Sequence, residues 1–359
     1  MLRTLLIVGA ILAVAAPAVA QDQAPQAVTS YKASRMADGR PSLEGVWSNA
    51  AITRLERRVS HGPALVLTEA QVRRIEARNQ ALIDLGSRPT DPSLKVTDLP
   101  ADCSGGRGTD CNYNAAWTDP GNVVMRVHGE GRNGFITTPA DGRVPMRQDV
   151  KVRAFGGRLP PGAGPSDNPE SRALGERCLL SFGTSSGPVM TPGLYNNTYQ
   201  IVQTRDQVAI VVEMVHDVRI VRLDAKHLPP TIRPWMGDSI GWWDGDTLVV
   251  ETINYHPQQS FRGASEHLKV TERFTPVAEG RMHYGFWVED PTVFSQPWGG
   301  EYEFSRITGQ IYEYACHEGN YGLANILSGA RAEDRTGVQT APTNIDQHAT
   351  QGEEGEEEG

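Results

Sequence analysis

From residue 199 to residue 316 the chain reads as strand, turn, strand, and this run constrains the fold more than any other feature. The segments 199–204, 208–223, 247–254, 268–274, 282–289, 302–305 and 310–316 are rich in β-branched and aromatic residues. Asp244-Gly245 separates Trp242-Trp243 from 246–250 and is a strong two-residue hairpin signal, because the favoured turn needs positive φ at its centre. Ala278-Glu279-Gly280 marks a second turn. Strands this numerous must hide their sheet edges, and closing on themselves is the usual solution. The expected fold is mostly β, an antiparallel barrel, with a two-sheet sandwich as the alternative.

The N-terminal half is patterned differently. Residues 42–47 read as a strand that opens the barrel, with the indole of the Gly45-x-Trp47 pair across a closed end. Thr68 caps a helix in which Val72, Ile75, Leu82 and Ile83 fit helical spacing through Asp84, and this is the one helix the pattern supports. Residues 86–169 are loop-rich, with short strands at 122–127 and 135–138 and a Gly- and Pro-rich connection at 157–170. The expected organisation is a signal peptide (1–20), a linker (21–40), an irregular segment packing on the barrel (41–170), the barrel (171–336) and a disordered acidic tail (337–359).

The first 20 residues carry Arg3, an apolar run over 5–16 and Ala18-Val19-Ala20 before Gln21, the layout of a cleavable export signal. The apolar run is too short to span a bilayer, which takes roughly 20 residues. A periplasmic or secreted protein without a membrane span is expected. Four cysteines suit that oxidising compartment: Cys103 and Cys111 bracket a short loop, leaving Cys178 to pair with Cys316. Lys and Arg total 34 against 43 Asp and Glu, a net charge of -9, which argues against nucleic acid as a partner. Much of that excess sits in the tail, where Asp346 and Glu353, Glu354, Glu356, Glu357 and Glu358 meet no Lys or Arg.

Five segments occur in order: Asn196-Asn197-x-x-Gln200-Ile201-Val202-Gln203, Glu213-Met214-x-His216-Asp217-x-Arg219, residues 245–252 (GDTLVVET), Glu289-Asp290-Pro291 and residues 312–321 (YEYACHEGNY). With these the chain resembles a large uncharacterised family of exported bacterial proteins over roughly residues 110–335. The resemblance implies kinship and supplies no mechanism. The barrel is also similar to a lipocalin, an analogy of fold that carries no function with it.

Strand alternation nominates the residues for chemistry. In 211–223, Glu213, Asp217 and Arg219 share one face and His216 lies on the other; Glu251 shares a face with Val249 and Ile253, and Glu272 with Leu268, Val270 and Phe274. An ionised carboxylate in an apolar interior costs several kcal/mol unless paired. Such groups are either bridged to Arg or His, as in a salt-bridge network between Arg219 and Glu213 or Asp217, or tuned for acid–base work. In the catalytic reading Glu213 and Asp217 are the acid–base pair, Arg219 clamps an anionic group and His317 is an auxiliary base. His216, Glu251, Glu272, Trp243 and Asn320 contact the substrate, with His317 and Asn320 fixed at the barrel mouth by a disulfide at Cys316. The plain alternative for residues 316–321 is a structural corner in which Gly319 turns the chain and Asn320 satisfies backbone groups.

Nine histidines form no His-Glu-x-x-His or His-x-His pattern, so no metal is expected. Two Gly-x-Ser-x-Gly matches, at 183–187 and 237–241, run into prolines and into the Trp242-Trp243 hairpin, and lack the strand–helix setting of a nucleophile elbow. The sequence thus points to a cofactor-free lyase or hydrolase acting on a C–O bond of a small glycoside or aromatic compound. The alternatives are a non-catalytic periplasmic binding protein for a small apolar or aromatic metabolite, and an interaction module working through the acidic tail.

Overall fold

The computed structural model describes residues 31–87, 121–150, 164–181 and 187–337. The expected export signal, Cys103, Cys111 and the acidic tail beyond Gly337 lie outside these residues, as does most of the first Gly-x-Ser-x-Gly match.

A nine-stranded barrel dominates. Its strands are β1 (Gly45–Ser48), β6 (Thr198–Gln203), β7 (Gln207–Val212), β8 (Val218–Leu223), β9 (Asp238–Asp244), β10 (Thr247–Ile253), β11 (Lys269–Ala278), β12 (Arg281–Glu289) and β13 (Trp298–Arg306). They pair in that order, and β1 closes the ring by pairing with both β6 and β13, Trp47 lying opposite Tyr199 on one side and Arg306 on the other. A short strand, β5 (Ile136–Thr138), takes the other end of the same β13 edge. Its approach requires glycine at Gly300, where a Cβ would fall 2.2 Å from the Phe135 carbonyl oxygen.

The barrel departs from the antiparallel expectation at one seam. β8 and β9 run parallel, Val221 opposite Ser239 and Leu223 opposite Gly241. The connection over 224–237 carries Pro229, Pro230 and Pro234 and crosses back to the same end of the barrel before β9 begins, as parallel neighbours require. The barrel is therefore mixed. Two other expectations change. The run 208–223 is not one strand: it breaks into β7 and β8 around a turn at 213–217, closed by the Val212 N–H donating to the Asp217 carbonyl (2.8 Å). Residues 310–316 join no strand ladder. They lead into a second helix, α2 (Tyr321–Thr336), after α1 (Glu69–Gly86).

Alternation fills the interior. Val208, Ile210 and Val212, then Val221 and Leu223, Val270 and Phe274, Tyr284 and Phe286, and Trp298, Tyr302 and Phe304 are all buried in one apolar core. The ring centroids of Tyr284 and Tyr302 stand 4.8 Å apart, within the range of favourable aromatic packing. Val189 and Met190, from the chain that precedes β6, are buried in the same core, so the interior is packed rather than hollow at that level.

A three-stranded sheet, β2 (Val66–Leu67), β4 (Glu130–Arg132) and β3 (Arg126–Val127), lies against the wall formed by β12 and β13. Helix α1 packs on it through Val72 in a small cluster with Leu67 and Val124. Among the described residues no helix is long and apolar enough to cross a membrane.

Candidate functional site

The predicted site residues separate into three environments. The first is the barrel interior. Arg219 is the first inward residue of β8 and Glu272 sits mid-way along β11; the two form a bidentate ion pair, Nη2 to Oε1 at 3.0 Å, with side-chain exposures of 2% and 0%. Burial alone would lower the Arg219 pKa, but the Glu272 charge and hydrogen bonds outweigh it and raise the value. Glu272 Oε1 also accepts from the Tyr284 hydroxyl (2.8 Å). That hydroxyl accepts from the Met190 N–H (3.2 Å), and the Tyr302 hydroxyl donates to the Met190 carbonyl. Asn49 donates to the Tyr302 hydroxyl at 3.2 Å and to that of Tyr199 at 3.4 Å. Burial pushes the phenols of Tyr284 and Tyr302 well above the ordinary tyrosine range. Trp243 also belongs inside, opposite Leu248 in the β9–β10 ladder, with its indole N–H buried and unpartnered among the described residues.

The second environment is the outer wall. Glu251 does share its face with Val249 and Ile253, but that face points away from the interior. There Glu251 accepts from Lys269 (2.9 Å) and meets His227 Nε2 at 3.2 Å, while His227 Nδ1 meets Asp238 at 2.8 Å. Burial raises the Glu251 pKa, and the bonds to Lys269 and His227 more than reverse that.

The third environment is the turn between β7 and β8, where Glu213, His216 and Asp217 stand within five residues. Two segments joined by the Cys178–Cys316 disulfide flank it. Ser181 donates its backbone N–H to Asp217 Oδ2 (3.2 Å), and His216 Nδ1 bonds the Tyr314 carbonyl (3.1 Å). The turn is strained. Val215 has φ 59° and His216 φ 50°, and Cys178 nearby has φ 55°. Positive φ at a β-branched residue is a true outlier that the surroundings must hold in place. Glu213 itself is 7% exposed and makes no side-chain hydrogen bond or ion pair with any described residue.

Beyond the disulfide, His317 is exposed. Asn320 caps α2 by accepting from the Leu323 N–H (3.3 Å) and donates to the Glu176 carbonyl (2.8 Å) and the Cys178 sulfur (3.4 Å).

The pattern reading did not single out a second polar cluster, on the wall under the small sheet. His283 Nε2 bonds Glu301 at 3.0 Å, Arg132 bonds Glu301 at 2.9 Å, Arg281 bonds Glu303 at 2.8 Å, and the ring of His128 stacks on that of His283 with centroids 5.4 Å apart. Burial would raise the Glu301 pKa, but His283, with help from Arg132 and His128, holds it below the usual carboxylate range. The signal was present: His283, Glu301 and Glu303 alternate with Tyr284, Tyr302 and Phe304 along β12 and β13. Nothing in the sequence shows that a second sheet covers that face.

Among the described residues no group of three His, Cys, Asp or Glu is placed to hold a metal ion. Ser239, in the second Gly-x-Ser-x-Gly match, lies inside β9 and bonds Thr252 (2.8 Å), so that match is a strand rather than an elbow. Comparison with known proteins found no matching family model and no matching curated protein.

Proposed function

We propose that this protein is an exported acid–base enzyme, a lyase or hydrolase that works on a C–O bond of a small glycoside or aromatic compound at the β7–β8 end of the barrel. The observation that carries the proposal is Glu213, a residue 7% exposed whose carboxyl group has no described partner, in a turn that contains two consecutive positive-φ residues. A carboxyl group that the fold encloses without bonding is free to exchange a proton with a bound solute, and strained backbone of this kind is found where side chains are held for function. Glu213 exchanges the proton with the leaving-group oxygen. Asp217, whose carboxylate is oriented by the Ser181 N–H, takes the complementary role of base. His216, exposed in the same turn, contacts the substrate in this reading.

Arg219 has a different part from the one its sequence position suggests. With Glu272 occupying it in a bidentate pair, it fixes β8 directly behind Asp217 instead of clamping substrate. A binding protein with its ligand in the barrel interior is less well supported, because Val189, Met190 and the tyrosines fill that space.

The test is to incubate the purified protein and its Glu213→Gln variant with a mixture of plant and bacterial extracellular metabolites, following masses without preselection. A compound consumed by the parent and not by the variant supports the proposal, and its mass change separates hydrolysis from elimination. Equal consumption by both removes Glu213 from the mechanism. A compound that co-purifies unchanged with both, with nothing consumed, makes this a binding protein.

A further inference from the structure

The Cys178–Cys316 disulfide joins two straps, residues 172–181 and 310–320, that belong to no strand of the barrel. Both straps hold the β7–β8 turn. The first does so through the Ser181 N–H, which donates to Asp217 Oδ2 (3.2 Å), and the second through the Tyr314 carbonyl, which bonds His216 Nδ1 (3.1 Å). A third link runs between the straps themselves, where Asn320 Nδ2 donates to the Glu176 carbonyl (2.8 Å). The covalent bond therefore sits behind the contacts that brace Asp217 and His216.

Its two sulfurs have opposite surroundings. Cys178 is 6% exposed, and its Sγ accepts from the Asn320 amide at 3.4 Å. The Leu323 N–H donates to Asn320 Oδ1 (3.3 Å), which fixes the amide with its N–H toward the sulfur. Cys316 is only half-buried, and its Sγ stands 4.0 Å from the Gly175 carbonyl oxygen. In thiol–disulfide exchange an incoming thiolate bonds one sulfur and the other departs as a thiolate, so the better-stabilised leaving sulfur sets the direction. A thiolate on Cys178 meets an N–H donor, a charge-assisted bond. A thiolate on Cys316 faces a carbonyl oxygen instead. Access favours the same direction, because Cys316 is the more exposed of the two. The Cys178 backbone is also held at φ 55°, a region that costs a residue with a side chain.

We infer that the Cys178–Cys316 bond is a thiol-exchange site through which a dithiol reductant controls the β7–β8 turn. The reductant's thiolate attacks Cys316 Sγ, the S–S bond breaks, and Cys178 leaves as a thiolate received by the Asn320 N–H. The reductant's second thiol then displaces Cys316 from the mixed disulfide. Two electrons pass to the cysteine pair, the reductant departs as its own disulfide, and its two thiol protons end on Cys178 and Cys316. Once separated, the straps no longer brace Asp217 and His216 together. The exchange chemistry is independent of Glu213, while its effect on turnover rests on the function proposed above.

The test incubates the folded, oxidised full chain with excess glutathione, a monothiol that stops at the mixed disulfide, and maps the product after acid quenching. Cys178 and Cys316 fall in different tryptic peptides. Glutathione is expected on Cys316 about tenfold more often than on Cys178. Asn320→Asp keeps the oxygen that caps α2 and removes the N–H that faces Cys178, so it should slow the exchange about tenfold. After reduction by dithiothreitol, amide hydrogen exchange should rise over 213–217 and leave β10–β12 protected. Glutathione on Cys178, or shared equally, overturns the inference, as does a folded chain that does not react. An Asn320→Asp variant that reacts as fast as the parent also overturns it, and if that variant fails to fold the mapping on the parent decides alone. Reduction that leaves 213–217 protected, or that unfolds the whole barrel, would make the bond architecture instead of a switch. None of these readouts uses a substrate, so their failure is distinct from a failure of the Glu213→Gln test.

Discussion

Glu213 and Glu272 are both nearly or wholly buried, at 7% and 0% exposure, and in every other respect they are opposites. Glu272 stands on a regular strand whose alternation aims it inward, and it meets a guanidinium and a phenol there. Glu213 stands in a strained turn and meets no described polar partner. The first residue shows how a barrel tolerates a charge in its core, by placing the opposite charge on the facing strand and satisfying the remaining lone pairs. The second is a carboxylate that the scaffold encloses without bonding it to any described residue. The difference separates a carboxylate that belongs to the architecture from one that is available for chemistry, a distinction that burial alone does not make.

The sharpest way to break this comparison is Glu272→Gln. It leaves the Arg219 charge buried beside a neutral amide, and should cost about 3–5 kcal/mol in urea denaturation. Replacing the pair together, as Arg219→Met with Glu272→Leu, should recover most of that loss, because an apolar pair of similar volume removes the uncompensated charge. If the single replacement costs less than about 1 kcal/mol, Glu272 is not the scaffold residue described here.

The same contrast explains what could be read from the sequence. The barrel was legible because period-two alternation and the Asp244-Gly245 turn are local signals, and Glu272 was placed on its inward face by that alternation alone. Glu251 obeys the same rule and faces outward, since alternation assigns residues to a face without saying which face is inside. The fate of Glu213 was hidden because residues 208–223 are β-favouring almost throughout, and nothing local announces the break at Val215. The parallel β8–β9 seam depends on where a connection returns in space, which composition does not record. Helix α2 was missed because Leu323, Ile326 and Leu327 make a narrow stripe of which only Leu327 is buried. The Asn320 cap was the available clue. Cys178 and Cys316 were paired as expected, while Cys103 and Cys111 fall outside the described residues.

Glu301 provides an intermediate case, a buried carboxylate of the outer wall whose partners include an imidazole and a guanidinium. Glu301→Gln should cost about 1–3 kcal/mol at neutral pH, the range for disrupting a buried charged hydrogen bond. Because its pKa is depressed in the fold, this stabilisation is complete above the unfolded carboxyl value of about 4.3 and is lost as pH falls through the lower folded value. The parent and variant stability curves should therefore converge in acid and separate as pH rises. A constant gap at all pH values would mean that the glutamine destabilises through packing rather than through charge.

The smallest expected effect falls on Glu213, and it is the one that decides the comparison. Removing the charge of a carboxylate that no described residue bonds breaks no hydrogen bond or ion pair of the described fold, so Glu213→Gln should leave stability unchanged within about 0.5 kcal/mol. A variant of unchanged stability that no longer turns over substrate is the signature of a residue kept for chemistry rather than for the fold. A loss comparable to that of Glu272→Gln would show that Glu213 is held by interactions of the same kind. It would then be architecture as well, and the β7–β8 turn would lose its claim to the chemistry.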